Sequence, residues 1–583
     1  KKNFTDPILF ADYSDPDAIR LGNLYVMTAS SFNYTPGLPV LLSYDLVTWT
    51  LWDHAVENLG KGFEKPRHSQ GVWAPAIRYF DHRLHIYYGM PDEGLFVVRS
   101  SEILEEDIRC FEDFHPDWDA PVCVLPGKGL IDPCPFEDED GRRFLIHGYA
   151  KSRIGFKSVL GIFELSKDGR EAVSEDKFLF NGNLVDASMR ENNALQFRGG
   201  VGEKPDEKTA PAVTVEGPKV MKRDGWYYIF APAGGVTFGH QLCIRSRELY
   251  GPYECKVVLH QGDTLINGPH QGALVETVHG EEFFLHFQDL GPYGRICHLQ
   301  PVTWKDGWPV FGVEDENGIG TPVSSFEMEM GEEPKAAEPA FTDGAAEPAD
   351  RKNNTYEGGI ASEASYHSLI DETGKLDLHW QWMGDHREEF SEIVDSTEDG
   401  SDACKKIRRL RLNALNPTGA ANPVLWNCSN VLTRKLDRPE FTFDLELDIR
   451  DLRPGDRSGL MMTGGQYCFL ECRKTKEEKL ILCLGESLGG DKDKSEQVKE
   501  LCTLPDMTKS VTFRMDYRLN GKVSTFQNVK DEKPVTVFSY STDGMKYATA
   551  GDPFAPKDHT WVGAKIGLYA VSGIGSEIGP ASV

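Results

Sequence analysis

The stretch SDPDAIRLGNLYVMTAS, residues 14–30, joins a proline, an alternating apolar run, a glycine turn and a second run rich in aromatic and β-branched residues. The same order recurs in four further stretches: WAPAIRYFDHRLHIYYG (73–89), IDPCPFEDEDGRRFLIHG (131–148), EGPKVMKRDGWYYIFAP (216–232) and GPHQGALVETVHGEEFFLHF (268–287). Their prolines, at 16, 75, 133, 218 and 269, are 59, 58, 85 and 51 residues apart. Repeats of this length with several short strands each are typical of propeller blades. The pattern therefore predicts a five-bladed β-propeller.

A change of composition divides the chain into two folded domains. Residues 326–354 are rich in Ala, Glu and Pro and hold almost no aromatic residues, so they cannot bury enough apolar surface to fold alone. We expect the propeller to span 1–322, a linker to span 323–358, and a second domain to span 359–583. That second domain alternates apolar and polar residues in seven or more short runs, which predicts an antiparallel β-sandwich. The predicted fold class is all-β.

Charge and composition exclude several classes of partner. The net charge of −28 argues against nucleic acid binding, which needs basic patches. No apolar run is long enough to span a membrane, and the first residues lack the apolar core of a signal peptide. Twelve scattered cysteines without metal-binding spacing favour a reducing compartment. We therefore expect a cytoplasmic protein, or a secreted or periplasmic one if a leader was removed. The oligomeric state stays open, and a homo-oligomer is compatible with the sequence.

Three of the five prolines have an acid beside them or one residue away: Asp15, Asp132 and Glu216. The innermost strands of a propeller line its axis, so equivalent positions in successive blades converge on one funnel. Carboxylates gathered there repel one another, which raises the pKa of at least one of them. Glycoside hydrolysis needs one protonated acid and one ionised base. Each acid alone is equally typical of a turn, and Asp12 and Asp17 compete with Asp15 by proximity.

The motifs SDPDAIRLGNLYVMTASSF, GVWAPAIRYF, LIDPCPFEDEDGRRFLI, EGPKVMKRDGWYYIFAPAGG, GPHQGALVET and GRICHLQPVTWKDGWP resemble those of glycoside hydrolase family 43. The resemblance covers nearly the whole chain and points to the two-domain branch of β-xylosidases and α-L-arabinofuranosidases. It implies a five-bladed propeller and hydrolysis with inversion. It also implies that Asp15 is the general base, Glu216 the general acid, and Asp132 the residue that orients the acid and tunes its pKa.

The resemblance implies further contacts with substrate. His270 matches a histidine beneath the sugar, which in some members lies beside a structural metal. A calcium near His270 is thus the one metal considered, and no cofactor is required. Arg295 matches an arginine that reaches substrate hydroxyls. Trp73 and Phe32 are candidate platforms for a sugar ring, because aromatic faces stack on C–H-rich sugar faces. A structural histidine, a surface ion pair and ordinary core packing are the alternatives for His270, Arg295 and Phe32.

The function predicted from these residues is an exo-acting, inverting glycosidase. Its substrates would be xylo- or arabino-oligosaccharides from hemicellulose, from which it would release terminal β-D-xylose, α-L-arabinofuranose or both. The sandwich is expected to help close the pocket. The alternative is a non-catalytic carbohydrate-binding propeller. A retaining fructan or sucrose hydrolase is disfavoured, because Ser14 precedes Asp15 and Gly-Pro follows Glu216. The choice between xylose and arabinose is not decided by the sequence.

Overall fold

The structure is a computed structural model of the chain. It describes residues 1–184, 195–196, 212–329, 355–357, 360–361, 368–371, 373–397, 406–519 and 533–573. Strands dominate these residues, and the single α-helix among them is α1 (Lys151–Ile154). Short 3₁₀ turns lie at Glu105–Asp107, Phe111–Asp113, Gly182–Leu184, Gly291–Tyr293, Glu388–Phe390 and Leu425–Asn427.

The first half of the chain forms five sheets, and each is built on four antiparallel strands in sequence order. After β1 (Lys2–Thr5), blade one holds β2 (Asp17–Leu21), β3 (Leu24–Thr28), β4 (Gly37–Ser43) and β5 (Trp49–Val56). Blade two holds β6 (Trp73–Phe80), β7 (Arg83–Met90), β8 (Gly94–Arg99) and β9 (Val122–Pro126). Blade three holds β10 (Leu130–Glu137), β11 (Arg143–Tyr149), β12 (Val159–Leu165) and β13 (Lys177–Asn181).

The next two blades follow the same plan. The short β14 (Leu195–Gln196) joins blade four, which holds β15 (Lys219–Arg223), β16 (Trp226–Ala233), β17 (His240–Ser246) and β18 (Glu254–Leu259). Blade five holds β19 (His270–Glu276), β20 (Glu282–Asp289), β21 (Arg295–Lys305) and β22 (Trp308–Phe311). The prediction of five blades is confirmed.

Segments that follow blade five return to earlier parts of the propeller. The strands β23 (Val313–Glu314) and β24 (Gly320–Thr321) extend blade four, and β25 (Ser325–Met328) pairs with β1. After residues outside the described part, β26 (Thr355–Glu357) and β27 (Ile360–Ala361) extend blade one. Leu9 pairs with Cys297 of blade five, so the N-terminal segment closes the ring. The domain limits at 322 and 358 stay a prediction, since strands occur at both ends of the predicted linker.

The second half of the chain is a β-sandwich. Its larger sheet has the order β28-β31-β40-β33-β34-β35-β36, its smaller sheet has the order β32-β37-β38-β39, and β29 and β30 form a separate hairpin. In chain order these strands are β28 (Trp380–Trp382), β29 (Ser391–Thr397), β30 (Lys406–Leu412), β31 (Val431–Lys435), β32 (Phe441–Asp448), β33 (Asp456–Thr463), β34 (Tyr467–Lys474), β35 (Leu480–Ser487), β36 (Gln497–Thr503), β37 (Ser510–Arg518), β38 (Val535–Ser541), β39 (Ala548–Phe554) and β40 (Lys565–Ser572). The predicted all-β fold is confirmed.

The inner strands share a kink, which lies at their first residues or just before them. A residue with positive φ occurs at the same place in each blade: Asp15 (53°), Ala74 (35°), Asp132 (56°), Gly217 (53°) and Gln271 (56°). In blades two, three and five the ladder to the second strand shifts register across this residue, as in a β-bulge, and such a kink re-aims side chains. Asp15 and Asp132 thus hold equivalent positions, and Glu216 lies one residue earlier.

The prolines mark this kink in four blades and miss it in the fifth. In blades one to four the proline directly follows the residue with positive φ, whereas Pro269 precedes Gln271 by two residues. His270 pairs with Phe287 as Ile131 pairs with Gly148 and Trp73 with Gly89. His270 is therefore the counterpart of Trp73, Ile131 and Glu216. Matching the five stretches by their prolines places blade five out of register with the other four.

Candidate active site

Asp15 lies two residues before the first inner strand, β2, and is buried and surrounded by hydrogen-bond donors. Its Oδ1 accepts a hydrogen bond from Nη1 of Arg295 at 2.9 Å. Its Oδ2 accepts from Oγ of Ser14 at 2.9 Å and from Oγ of Ser30 at 2.6 Å. The two serines are themselves fixed, because Ser14 accepts from Arg295 and Ser30 accepts from the Ala74 N–H. Donors on both oxygens stabilise the carboxylate form of Asp15.

The two neighbouring acids that compete with Asp15 have other partners. Asp12 accepts the backbone N–H of Arg295 and that of Gly563, a residue of the sandwich, each at 2.9 Å. Asp17 is fully buried and accepts hydrogen bonds from the Ile77 N–H and from Nη1 of Arg78, each at 2.8 Å. Of the three acids, Asp15 is the one held by the side chains of Arg295, Ser14 and Ser30.

Asp132 and Glu216 form an electrostatically coupled pair. Burial, together with the charge of Asp15, raises the pKa of Asp132 to about 7. Burial, together with the charges of Asp132 and Asp15, raises the pKa of Glu216 to about 8. Oδ2 of Asp132 accepts the Gly217 N–H at 2.9 Å, which favours its ionised form. Both carboxyl groups therefore keep protons to a higher pH than ordinary carboxylic acids do.

Arg295 and His270 lie at the blade-five side of these acids. Arg295 begins β21, is buried, and has its guanidinium 4.7 Å from the ring centre of Phe287. His270 is fully buried, its Nδ1 faces the Gly268 carbonyl, and its Nε2 has no hydrogen-bond partner. Burial lowers the pKa of His270 to about 4, so the ring is neutral near neutral pH.

The described surroundings of His270 offer few protein ligands for a calcium ion. Among the residues that the structure describes, no group of three or more His, Cys, Asp and Glu side chains is placed to hold a metal. Calcium prefers six to eight oxygen ligands, and His270 offers one nitrogen. A calcium ion near His270 stays a prediction, and no step of the reaction is assigned to a metal.

Trp73 and Phe32 lie in an apolar cluster shared by the two domains. Trp73 is 7% exposed, and its ring centre is 4.7 Å from that of Trp561 in an edge-to-face arrangement. Phe32 is 4% exposed and has φ of 53°, which is unusual for a bulky residue. Strained backbone of this kind is concentrated at functional sites, which supports a role for Phe32 at the site.

Comparison with known proteins assigns the chain to a family. The family model "Glycosyl hydrolases family 43" matches residues 4–309, and the model "Beta xylosidase C-terminal Concanavalin A-like domain" matches residues 372–582. The chain belongs to glycosyl hydrolase family 43. This membership confirms the prediction of a glycosidase and contradicts the alternative of a non-catalytic propeller.

Individual relatives agree with membership of family 43. A provisionally named β-xylosidase of Xylanibacter ruminicola is 29% identical over 563 residues, which are 95% of this chain and 84% of that protein. A non-reducing-end α-L-arabinofuranosidase of Bacteroides ovatus is 27% identical over 338 residues, 54% of each chain. A solved family 43 glycoside hydrolase with an engineered active site has the same fold, with a TM-score of 0.70 and 22% identity over 100% of this chain and 98% of that one.

The sequence analysis did not predict three contacts of the candidate site residues. Ser14 and Ser30 bind Asp15, and Trp561 packs against Trp73. A local signal existed for Ser30, because a hairpin turning at Gly22 and Asn23 brings its backbone to that of Ser14, whose carbonyl accepts the Ser30 N–H at 2.8 Å. No local signal existed for Trp561, which is nearly 500 residues from Trp73.

Replacing Ser30 by Ala should lower kcat about tenfold and leave KM nearly unchanged, because Asp15 loses its shortest hydrogen bond while the pocket keeps its shape. The measurement is steady-state hydrolysis of an aryl pentoside, together with thermal unfolding. Ser100→Ala is the matched control. Buried Ser100 also accepts a backbone N–H and donates one hydrogen bond, but it lies in blade two away from the acids. Equal kcat in the two variants would contradict the role of Ser30.

Proposed function

We propose that the protein is an exo-acting, inverting glycosidase that releases terminal β-D-xylose, α-L-arabinofuranose or both from hemicellulose oligosaccharides. The observation that carries the proposal is the arrangement of Asp15, Asp132 and Glu216. One buried carboxylate is surrounded by donors, and two others share protons at higher pKa. This is the division between ionised base and protonated acid that hydrolysis with inversion needs.

In this mechanism Asp15 is the general base. Its carboxylate takes a proton from a water molecule as that water attacks the anomeric carbon. Arg295, Ser14 and Ser30 fix the direction of the carboxylate, so that the attacking water is held on one side of the sugar.

Glu216 is the general acid, and Asp132 acts on it. As the anomeric C–O bond breaks, Glu216 gives its proton to the departing oxygen. Burial, together with the charge of Asp132, raises the pKa of Glu216, which keeps that proton in place near neutral pH. After one turnover the proton taken by Asp15 and the proton lost by Glu216 are exchanged with solvent, so the cycle balances.

The proposed exo action rests on the sandwich segment His559–Lys565, which we call the strap. The strap contacts the propeller beside Trp73 and beside Asp12, and it carries Trp561 between these two contacts. We place the terminal sugar against Trp73 and Phe32, with the strap closing the pocket behind it. A pocket closed on one side admits chain ends and excludes the middle of a polymer.

The choice of sugar is tested with two chromogenic substrates. The relative that aligns over 95% of this chain is named as a β-xylosidase, so we expect 4-nitrophenyl β-D-xylopyranoside to be cleaved faster than 4-nitrophenyl α-L-arabinofuranoside. Proton NMR of the first product should show the inverted anomer. Cleavage of neither substrate, with no effect of Glu216→Ala, would overturn the proposed activity. A retained anomer would overturn the role given to Asp15.

The pH dependence of hydrolysis tests the pairing of Asp132 and Glu216. Glu216 works in its protonated form, so kcat/KM should fall as the pH rises through about 8. Asp132→Asn removes a negative charge that raises the pKa of Glu216, so the alkaline limb should move to lower pH and kcat should fall about 10²-fold. Profiles of kcat/KM against pH for both proteins are the measurement. An alkaline limb that stays in place would show that Asp132 does not set the acid.

We also propose that the protein needs no cofactor and works in a reducing compartment. All eleven cysteines in the described part of the chain are free, and most are buried. Within that same part, no helix is both long and apolar enough to cross a membrane. We expect the rate of hydrolysis to be unchanged after dialysis against EDTA. We also expect that common thiol reductants do not lower this rate.

A further inference from the structure

The strap is tied to the propeller at two separate places, and each tie uses a residue that the proposed mechanism leaves without a role. One tie is made by Ser69, in the segment that leads into blade two. The other is made by Asp12, the acid that competes with Asp15 in the sequence. Trp561 lies between the two ties, with φ of 65°.

The first tie joins Ser69 to His559 and Thr560. Oγ of Ser69 donates to the Thr560 carbonyl at 2.6 Å and contacts Nδ1 of His559. Nε2 of His559 lies 3.1 Å from a carboxylate oxygen of Asp491, so a second residue of the sandwich contacts the His559 ring.

Ser69 also holds the other aromatic ring of the pocket. Its carbonyl accepts the indole N–H of Trp73 at 2.9 Å, and its own N–H is bound by Oδ1 of Asn33 at 3.2 Å. Ser69 is 7% exposed and has φ of 60°. One strained, buried residue therefore fixes Trp73 through its backbone and the strap through its hydroxyl.

The second tie joins Asp12 to Gly563. Oδ2 of Asp12 accepts the Gly563 N–H, while Oδ1 of Asp12 accepts the N–H of Arg295, whose side chain holds Asp15. Nζ of Lys565 lies 3.8 Å from Asp12. A side chain at Gly563 would come within 2.8 Å of the backbone of Gly294, so the glycine permits this close approach.

We propose that Ser69, His559 and Asp12 are positioning residues for the substrate pocket. They hold Trp561 in its edge-to-face contact with Trp73 and so set the depth of the site. A tryptophan keeps a positive φ only where its surroundings over-determine it, and the two ties on either side of Trp561 supply that constraint. The inference rests on the proposed function, in which Trp73 contacts the terminal sugar.

The test is a double-mutant cycle on the whole chain with 4-nitrophenyl β-D-xylopyranoside. Ser69→Ala should raise KM about threefold to tenfold, the range of one lost hydrogen bond, with kcat within about twofold of wild type. Trp561→Ala should raise KM at least as much. If Ser69 acts through Trp561, the double variant should be no worse than Trp561→Ala alone. Multiplied effects in the double variant would overturn the inference.

Thr35→Val is the matched control. Oγ1 of Thr35 donates to the Gly384 carbonyl of the sandwich at 2.6 Å, so this variant loses a hydrogen bond between the domains of the same length without touching the strap. We expect its KM to equal that of wild type, while both variants lose similar thermal stability. His559→Gln reports on the same tie should Ser69→Ala fold poorly.

The outcomes separate the two proposals. A wild-type protein that cleaves neither pentoside contradicts the proposed function. A wild-type protein that cleaves one of them, while Ser69→Ala and His559→Gln both behave as Thr35→Val does, contradicts only the positioning role.

Discussion

Glu216→Gln should lower kcat for xylobiose about 10³-fold, because the departing sugar oxygen then receives no proton as the bond breaks. Gln keeps the size of the side chain, so the pocket is preserved. The loss should be much smaller, within about tenfold, for a dinitrophenyl xyloside, whose leaving group departs without protonation. Steady-state kinetics with both substrates is the measurement. The alkaline limb near pH 8 should also disappear in this variant, because the group that titrates there is absent.

The dependence on the leaving group is the part that identifies the acid. A variant that merely disturbs the fold would lose activity on both substrates alike. Glu254→Gln is a suitable control, since Glu254 lies in the outer strand of the same blade and pairs with Arg245. Equal losses on xylobiose and on the dinitrophenyl xyloside would contradict the role of Glu216.

Asp15→Asn should lower kcat about 10³-fold for both substrates, because activation of the attacking water does not depend on the leaving group. Asn suits this test for a structural reason. The backbone of Asp15 has φ of 53°, and Asn is among the few residues that adopt such a conformation readily. The variant should therefore fold, and its melting temperature is the check.

A change confined to the poor leaving group would contradict the assignment of Asp15 as base. Asp12→Asn and Asp17→Asn complete the comparison of the three neighbouring acids. Both should cost stability through their lost ionic contacts, with Asp17 losing the charge that pairs with Arg78. Neither should reproduce a loss of kcat as large as that of Asp15→Asn.

The blades could be predicted because their signal is local and repeated. A proline at the kink and an alternating run after it are contained in each segment of about 17 residues, such as 14–30. Blade five shows where this fails. Pro269 stands ahead of the kink rather than after it, so only the strand pairing of His270 reveals its true counterparts. The convergence of Asp15, Asp132 and Glu216 followed from the blade geometry, which needs no knowledge of side-chain contacts.

The closure of the pocket could not be predicted from the sequence. Ser69 and His559 are 490 residues apart, and no spacing rule connects residues of two domains. The partners of Asp12 also lie far away in the chain, at Arg295 and Gly563. Spacing in the sequence therefore does not separate Asp12, Asp15 and Asp17, whereas their tertiary partners do.

The return of β26 to blade one has a consequence for the modularity of the enzyme. Tyr356, which lies near the end of the predicted linker, is fully buried, and its hydroxyl lies 3.0 Å from that of Tyr13. A fragment that ends at residue 322 would lose this plug and also β25, the partner of β1. The propeller is thus not an independent folding unit that ends at residue 322. A fragment that ends at residue 322 should therefore unfold at a lower temperature than the whole chain.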